Sequence, residues 1–198
     1  MISDVSIAIL AGGQSRRMGT DKSFVTLNGK TMIERVLDQV LALDLPVVIV
    51  ANQVERYSDF GLPVFPDVIE GKGSLGGLYT ALFHSSTTYT VCVACDMPFL
   101  SPQLLTYLIQ LRHEYDAVVP EVNRRLQPLH AVYNRTCLKP LKTLIERNQL
   151  AIYGLYNFIN TRVVPQSTLA RLATDLRSFD NVNTPDDLAL AVQDMETT

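Results

Sequence analysis

The chain has 198 residues, 47% of them hydrophobic, which excludes a disordered protein and predicts a folded domain with a sizeable core. The formal net charge of −3, from 17 basic and 20 acidic side chains, argues against binding to nucleic acid. No apolar run approaches the about 18 residues of a membrane span and no signal-peptide pattern opens the sequence, so we expect a cytoplasmic protein without membrane contact. Three cysteines, an odd number, fit a reducing compartment without a disulfide framework.

A glycine-rich, basic loop follows the first predicted strand at 5–10. It reads Leu10-Ala11-Gly12-Gly13-Gln14-Ser15-Arg16-Arg17-Met18-Gly19-Thr20-Asp21-Lys22. Gly12 and Gly13 allow positive φ and a close approach of backbone N–H groups to phosphates. Arg16, Arg17 and Lys22 add positive charge that suits a polyphosphate better than a single phosphate. The loop therefore predicts a nucleoside triphosphate ligand, with a surface turn that binds nothing as the alternative.

Two familiar phosphate loops do not account for this segment. A P-loop needs lysine directly after its second glycine, and here Thr20 follows Gly19. The dinucleotide fingerprint G-x-G-x-x-G needs separated glycines and an immediate helix, whereas Gly12 and Gly13 are adjacent and we expect no helix before about Thr31. The segment is therefore a longer and more basic loop of another type.

The first helix is predicted from a capping-box pattern, Thr31 with Glu34, and a buried strand is predicted at 47–51. Asn52 follows that strand. Because ligands of open α/β sheets bind beyond the carboxyl ends of strands, its amide is a candidate to hydrogen-bond a base or ribose. A turn asparagine is the alternative.

A short strand at 64–65 leads to Asp67, again just past a strand end. A glycine-rich stretch at 70–77 follows and leads into a helix whose predicted core face is Leu75, Leu78, Tyr79, Leu82 and Phe83. Gly76 and Gly77 cost helix stability, about 1 kcal/mol each relative to alanine. Their presence in a first turn suggests close approach of a ligand or of backbone, and helix packing is the alternative.

Asp96 comes shortly after the end of the strand predicted at 90–94. A carboxylate at the tip of a central parallel strand is well placed to hold Mg²⁺ beside a phosphate. A turn or capping aspartate is the alternative, but the next helix has its own start in Ser101 and Pro102. Cys92 and Cys95 have C-x-x-C spacing, yet residues three apart on a strand face opposite sides, so we expect core residues.

The second half begins with an antiparallel excursion, in which a strand at 117–122 precedes a polar turn at 123–125 and a returning strand. An anionic, heteroatom-rich substrate can be accepted here or, as the alternative, the turn is a solvated hairpin tip. The candidate contacts are Arg124, Arg125, Gln127 and His130. We assign no acid–base role to His130.

The last predicted elements are helices at 136–147 and 151–159, a strand at 162–164 and a helix that starts at 184–187. Asn181 and Asn183 precede this last helix. They occupy alternate positions of an extended segment, so both amides can face the site together.

These elements predict a three-layer, Rossmann-like α/β fold with a mostly parallel sheet, helices on both faces and an antiparallel excursion. We expect one domain over residues 1–198, with a nucleotide-binding half of about 1–100 and an acceptor-substrate half of about 101–198. No strong Ser/His/Asp or Cys/His arrangement is apparent. The residues therefore favour in-line displacement at phosphorus by the substrate's own oxyanion, by positioning and charge neutralisation.

The opening loop matches the pattern L-A-G-G-x-S-x-R-M-G-x-D-K, and on it the chain resembles the nucleotidyltransferase family and, within it, the molybdenum cofactor guanylyltransferases. Further matching segments are 50–52, 66–67, 73–77, 95–98, 127–129 and 181–185. The resemblance implies a nucleotidyltransferase-like fold and transfer of GMP from Mg·GTP to the terminal phosphate of molybdopterin, with pyrophosphate released. Ser74 and Met97 depart from the commoner family residues.

The resemblance also implies residue roles. The nucleotide would be bound by Leu10, Ala11, Gly12, Gly13, Arg16, Lys22, Asn52, Asp67 and Asp96, with Mg²⁺ on Asp96. The catalytic residues would be Arg17, Lys22 and Asp96. The pterin substrate would be bound by Gly76, Gly77, Gln127, Pro128, Asn181 and Asn183.

Two other functions stay open at this point. One is another small-substrate nucleotidyltransferase, of the CTP:molybdopterin or sugar-phosphate type, although Gly12-Gly13 resembles the guanylyl branch. The other is a non-catalytic nucleotide-binding regulator. The partners implied by the resemblance are GTP, molybdopterin and, through transient contact, other cofactor-biosynthesis proteins or acceptor molybdoenzymes.

Overall fold

The structure of the protein is a computed structural model that describes residues 2–12, 22–173 and 175–196. For residues 194–196 it describes the backbone alone. The strands are β1 (Val5–Leu10), β2 (Thr26–Leu27), β3 (Lys30–Thr31), β4 (Val47–Val50), β5 (Val64–Phe65), β6 (Tyr89–Ala94), β7 (Ala117–Val122), β8 (Arg125–Leu126), β9 (His130–Asn134) and β10 (Thr161–Pro165). The α-helices are α1 (Met32–Leu41), α2 (Gly73–His84), α3 (Pro102–Gln110), α4 (Leu138–Glu146), α5 (Gln166–Leu169) and α6 (Pro185–Glu196).

The described strands form a mostly parallel sheet in the order β10-β7-β9-β6-β1-β4-β5, with β8 paired to β7. β1 is an interior strand of this sheet, fully buried and parallel to both neighbours, as its continuous apolar run predicts. Leu10 pairs in register with Val50 on one side and Ala94 on the other. Three strands therefore end together at one edge of the sheet.

The predicted antiparallel excursion is confirmed, and β9 is its main element. β9 runs antiparallel between β6 and β7, with His130 opposite Val93 and Val118 opposite Val132. Because β9 runs in the reverse direction, it begins at the edge where β1, β4 and β6 end. The segment 123–129 is therefore delivered to that same edge.

The helices cover the two faces of the sheet, which confirms the predicted three layers. Helices α1 and α3 pack with Ile7, Ile9 and Val93 on one face. Helices α2 and α4 pack with Ala8 and Cys92 on the other. Burial of both sheet faces is what a parallel sheet requires.

Several helix starts follow the local sequence signals. Thr31 and Glu34 form both hydrogen bonds of a capping box at α1, and the Ser101 side chain caps α3 ahead of Pro102. Within the described residues Cys92 and Cys95 form no disulfide, and they pack on opposite faces of the sheet, as expected. No helix within the described residues is long and apolar enough to cross a membrane.

Two local predictions were incomplete. The helix predicted at 151–159 is a 3₁₀ segment, Ile152–Asn157, in which Gly154 and the aromatic residues weaken the preference for α-helix. Strands β2 and β3 form a hairpin that was not predicted. Its turn is Asn28-Gly29, both with positive φ, which is a strong hairpin signal.

Candidate functional site

A cleft of about 380 Å³ lies at the edge where β1, β4 and β6 end and β9 begins. Its position agrees with the rule that ligands bind beyond the carboxyl ends of parallel strands. The described residues that line it are Leu10, Ala11, Gly12, Lys22, Ser23, Val50, Asp67, Ser74, Gly77, Ala94, Cys95, Asp96, Met97, Leu126, Gln127, Pro128, Leu129, Tyr153, Asn181 and Asn183. Most of the predicted site residues from both halves of the chain are therefore brought to one place.

Backbone hydrogen bonds fix the start of the glycine-rich loop at the cleft. The Ala11 N–H donates to the Val50 carbonyl at 2.9 Å, and the buried Tyr57 hydroxyl lies 3.1 Å from the Ala11 carbonyl oxygen. Gly12 does not have positive φ, contrary to our expectation. Among the described residues, the one atom within 4 Å of a β carbon placed there is the Val50 carbonyl oxygen, at 3.9 Å. Gly12 thus offers bare, exposed backbone to a ligand.

Three predicted residues of this loop, Gly13, Arg16 and Arg17, lie outside the described residues. Lys22, the last residue of the loop pattern, is described and lines the cleft. Its ammonium donates to the Asn183 side-chain oxygen at 2.7 Å, across 161 residues of sequence. The two halves of the chain therefore meet directly at Lys22.

Asn52 acts on Asp67 in this structure. Its side-chain nitrogen donates to the Asp67 carboxylate at 3.0 Å, and its oxygen accepts from the Asp67 backbone N–H at 2.8 Å. Asp67 lines the cleft, whereas Asn52 is not among the described lining residues. The geometry gives Asn52 an indirect route to the ligand, by orienting Asp67.

Asp96 lies half-buried at the end of β6 and lines the cleft. Burial raises the pKa of its carboxyl above the usual value, and the Lys22 ammonium opposes this shift. Within the described part of the chain no three or more His, Cys, Asp or Glu side chains cluster as a metal cage. A lone carboxylate in a cleft suits a hard divalent cation whose remaining ligands are phosphate oxygens and water.

The start of α2 forms one wall of the cleft through Ser74 and Gly77. A β carbon on Gly77 would lie 3.0 Å from a terminal methyl carbon of Leu10, so Gly77 allows α2 to approach β1 closely. Gly76 is not among the described lining residues, and a β carbon there would lie 2.8 Å from the Lys72 β carbon. Its glycine is explained by local packing, the alternative given above.

The segment 126–129 forms another wall of the cleft, and backbone hydrogen bonds tie it to the sheet. The Gln127 N–H donates to the Pro120 carbonyl at 2.8 Å, and the Leu129 carbonyl accepts from the Ala94 N–H at 3.1 Å. The Tyr133 hydroxyl donates to the Pro128 carbonyl at 2.8 Å. Burial raises the pKa of Tyr133, which keeps this hydroxyl protonated and able to donate.

Tyr153 is a cleft residue that the sequence analysis missed. The residue lines the cleft, is 53% exposed, and donates from its hydroxyl to the Leu126 carbonyl at 3.3 Å. It lies in the 3₁₀ segment between α4 and β10, about 25 residues from the segment it supports. No local pattern marks such a residue, because its place depends on tertiary packing alone.

The arginine and histidine contacts considered for the hairpin are not supported. Arg124 and Arg125 are exposed at the turn between β7 and β8 and are not among the described lining residues. His130 is fully buried, with its ring 4.4 Å from that of Phe179. Burial lowers the pKa of His130 to about 3, so this side chain is neutral and inaccessible to substrate.

Comparison with known proteins identifies the family. The model of the MobA-like NTP transferase domain matches residues 7–177, most of the chain. The chain belongs to the MobA-like NTP transferase family. The match begins within β1 and ends beyond β10, so it includes every strand that borders the cleft.

Members and structural neighbours of the MobA-like family match nearly the whole chain. A probable molybdenum cofactor guanylyltransferase of Pelotomaculum thermopropionicum is 36% identical over 183 residues, 92% of this chain and 89% of the relative. The molybdenum cofactor guanylyltransferase of Desulfosudis oleivorans is 36% identical over 185 residues, 92% of each chain. The crystal structure of molybdopterin-guanine dinucleotide biosynthesis protein A from Archaeoglobus fulgidus matches with a TM-score of 0.86 and 30% identity, over 98% of this chain and 100% of that one. The predicted resemblance and fold class are confirmed.

Proposed function

We propose that the chain transfers GMP from Mg·GTP to the terminal phosphate of molybdopterin. An acceptor phosphate oxygen attacks the α-phosphorus, and the bond from that phosphorus to the β-phosphate oxygen breaks. Pyrophosphate leaves with the bonding electron pair, and the guanine dinucleotide form of the cofactor results. The observation that carries the proposal is the half-buried Asp96 carboxylate beside Lys22, at the meeting point of the two walls of the cleft.

The nucleotide is assigned to the wall formed by the first half of the chain, about 1–100. Bare backbone at the end of β1 and the oriented Asp67 carboxylate support this assignment. The proposed contacts are Leu10, Ala11, Gly12, Gly13, Arg16, Arg17, Lys22, Asp67 and Asp96, with Asn52 acting through Asp67. Gly13, Arg16 and Arg17 keep the roles that their sequence positions predict.

Mg²⁺ is the proposed metal, held by Asp96. The donor set fits this ion, because Mg²⁺ commonly takes one or two carboxylates and completes its ligands with phosphate oxygens and water. A bound Mg²⁺ would neutralise negative charge on the phosphates during displacement. Burial disfavours an isolated ionised carboxylate at this position, and a cation next to Asp96 would relieve that cost.

The acceptor is assigned to the second half, about 101–198. The proposed contacts are Gly77, Gln127, Pro128, Asn181 and Asn183. Gly76, which the resemblance also implied, is assigned to the packing of α2 instead. The exposed Tyr153 side chain adds an aromatic surface at this wall. Cytoplasmic location and transient contact with cofactor-biosynthesis proteins or acceptor molybdoenzymes stay predictions.

The test is incubation of the purified protein with Mg·GTP and molybdopterin, followed by assays for pyrophosphate and the dinucleotide. We expect both products, and lower turnover with CTP, UTP or ATP. Asp96→Asn should lose turnover by about a hundredfold or more. Asp59→Asn, at an exposed carboxylate that does not line the cleft, is the matched control. Unchanged turnover in Asp96→Asn, or preference for CTP, would reject the assignment.

A further inference from the structure

The segment before α6 is held by a carboxylate that has no assigned role. Asp187 accepts hydrogen bonds from the backbone N–H groups of Asn183 at 2.9 Å and Thr184 at 2.8 Å, both to the same oxygen. Its own N–H donates to the Thr184 hydroxyl at 3.1 Å. The bond to Thr184 is part of an ordinary helix cap, whereas the bond to Asn183 fixes a residue outside the helix.

Asn183 is held from its other side by Lys22, whose ammonium donates to its side-chain oxygen at 2.7 Å. An ammonium group can only donate, so the oxygen of this amide must face Lys22. The NH₂ group of Asn183 is therefore what the side chain can offer to a ligand in the cleft. Such a donor suits a phosphate oxygen of the acceptor.

We propose that Asp187 is a positioning residue for the acceptor, because it fixes the Asn183 backbone while Lys22 fixes the Asn183 amide. The inference rests on the proposed function, since it takes the acceptor phosphate as the partner of Asn183. Lys22 also lines the nucleotide wall, so a triphosphate that immobilises its ammonium immobilises Asn183 as well. Nucleotide binding therefore strengthens acceptor binding through Lys22 and Asn183.

The electrostatics of the segment agree with this role. Hydrogen bonds from Asn183 and Thr184 lower the pKa of the Asp187 carboxyl, so it stays ionised at neutral pH. The positive charge of Lys22 also lowers the pKa of Asp187, as it does that of Asp96. Lys22 therefore interacts electrostatically with both carboxylates. The neighbouring Asp186 is exposed in the same first turn of α6 and takes part in neither described bond to Asn183 or Thr184.

The experiment compares Asp187→Ala, Asp187→Asn and the control Asp186→Ala. Loss of a charged hydrogen-bond acceptor in Asp187→Ala should raise the KM for molybdopterin about tenfold, with kcat and the Kd for GTP in the absence of molybdopterin changed by less than about twofold. Asp187→Asn should fall between it and wild type, because the amide oxygen still accepts. Asp186→Ala should leave all three constants unchanged.

Two further measurements separate positioning from mere stability. Molybdopterin binding should tighten in the presence of a non-hydrolysable GTP analogue for wild type and not for Asp187→Ala. In an Asn183→Ala background, Asp187→Ala should add little to the KM, because its effect passes through Asn183. Additive effects, or a lower unfolding temperature with an unchanged KM, would overturn the inference. If the wild type makes no dinucleotide, the proposed function fails, and this inference fails with it.

Discussion

Asn52 and Asp67 bind each other through two hydrogen bonds, one from amide to carboxylate and one from backbone N–H to amide oxygen. They follow β4 and β5, two adjacent parallel strands. The pair therefore forms a fixed unit beside the cleft, although only Asp67 is among the described residues that line it.

Replacing Asn52 should weaken GTP binding through Asp67. Asn52→Ala removes both bonds to Asp67, and we expect the Kd for GTP to rise about tenfold in calorimetric titration. Gln53→Ala, at the next exposed position, should leave the Kd unchanged. The Asn52→Ala and Asp67→Ala effects should not add in the double variant, and full additivity would contradict this coupling.

The raised pKa of Asp96 should set the acid side of the activity profile. Only the ionised carboxylate can hold a cation, so kcat/KM should fall as pH decreases through this raised pKa, earlier than for an ordinary aspartate. Mg²⁺ favours the ionised form, and a higher Mg²⁺ concentration should therefore move this limb to lower pH. The check is a set of pH–rate profiles at several Mg²⁺ concentrations. A limb that does not move would show that another group titrates.

The two glycines of α2 should respond differently to alanine. A β carbon on Gly76 would meet the Lys72 β carbon at 2.8 Å and the Ile69 carbonyl at 3.3 Å, and neither is the free end of a flexible side chain. Gly76→Ala should therefore lower the free energy of unfolding by about 1–3 kcal/mol with little change in KM. The check is urea unfolding together with steady-state kinetics.

Gly77→Ala is the matched variant. Its β carbon would meet a terminal methyl carbon of Leu10 at 3.0 Å, which can move by a few tenths of an ångström. Improved helix propensity, about 1 kcal/mol, offsets this contact in stability. Because Leu10 and Gly77 both line the cleft, we expect Gly77→Ala to raise the KM for molybdopterin, the substrate assigned to Gly77, and to change the stability little. A raised KM with unchanged stability in Gly76→Ala, together with lost stability and an unchanged KM in Gly77→Ala, would contradict this prediction.

His130 should make the protein less stable in mild acid. Burial lowers its pKa to about 3, and the Ser178 backbone opposes this only in part, whereas an unfolded histidine titrates near about 6.5. Between these values the unfolded chain binds a proton that the folded chain does not. Neutral His130 therefore costs no stability above about pH 6.5. Below that pH the free energy of unfolding decreases, and the loss reaches about 2 kcal/mol at pH 5.

Urea unfolding at pH 7 and pH 5 measures this contribution. Between pH 7 and pH 5, the free energy of unfolding should decrease by about 2 kcal/mol less in His130→Leu than in wild type, whatever the stability of the variant at pH 7. His113→Leu, at an exposed histidine, should follow wild type. Equal losses in wild type and His130→Leu would assign the acid sensitivity to other groups.

Sequence reasoning succeeded where the signal was local. The capping box of Thr31 and Glu34 and the positions of Asp67 and Asp96 after strands needed only neighbouring residues. It could not show that Asn52 engages Asp67, since 15 residues and a strand pairing separate them. The same limit applies to residues joined only by tertiary packing, such as Tyr153, which lines the cleft beside the segment 126–129. The Asn28-Gly29 pair is a local signal as well, and it would have predicted the hairpin of β2 and β3.

The position of β9 has a consequence for biosynthesis. β6 pairs with β1 on one side and with β9 on the other, and β9 ends at Asn134. While the ribosome is still translating the stretch after β6, the nascent chain exposes an unpaired strand edge with apolar residues on both faces. A fragment truncated near residue 100 keeps that edge permanently open. Such a fragment should aggregate on overexpression, because the open edge of β6 can pair with the same edge of another copy.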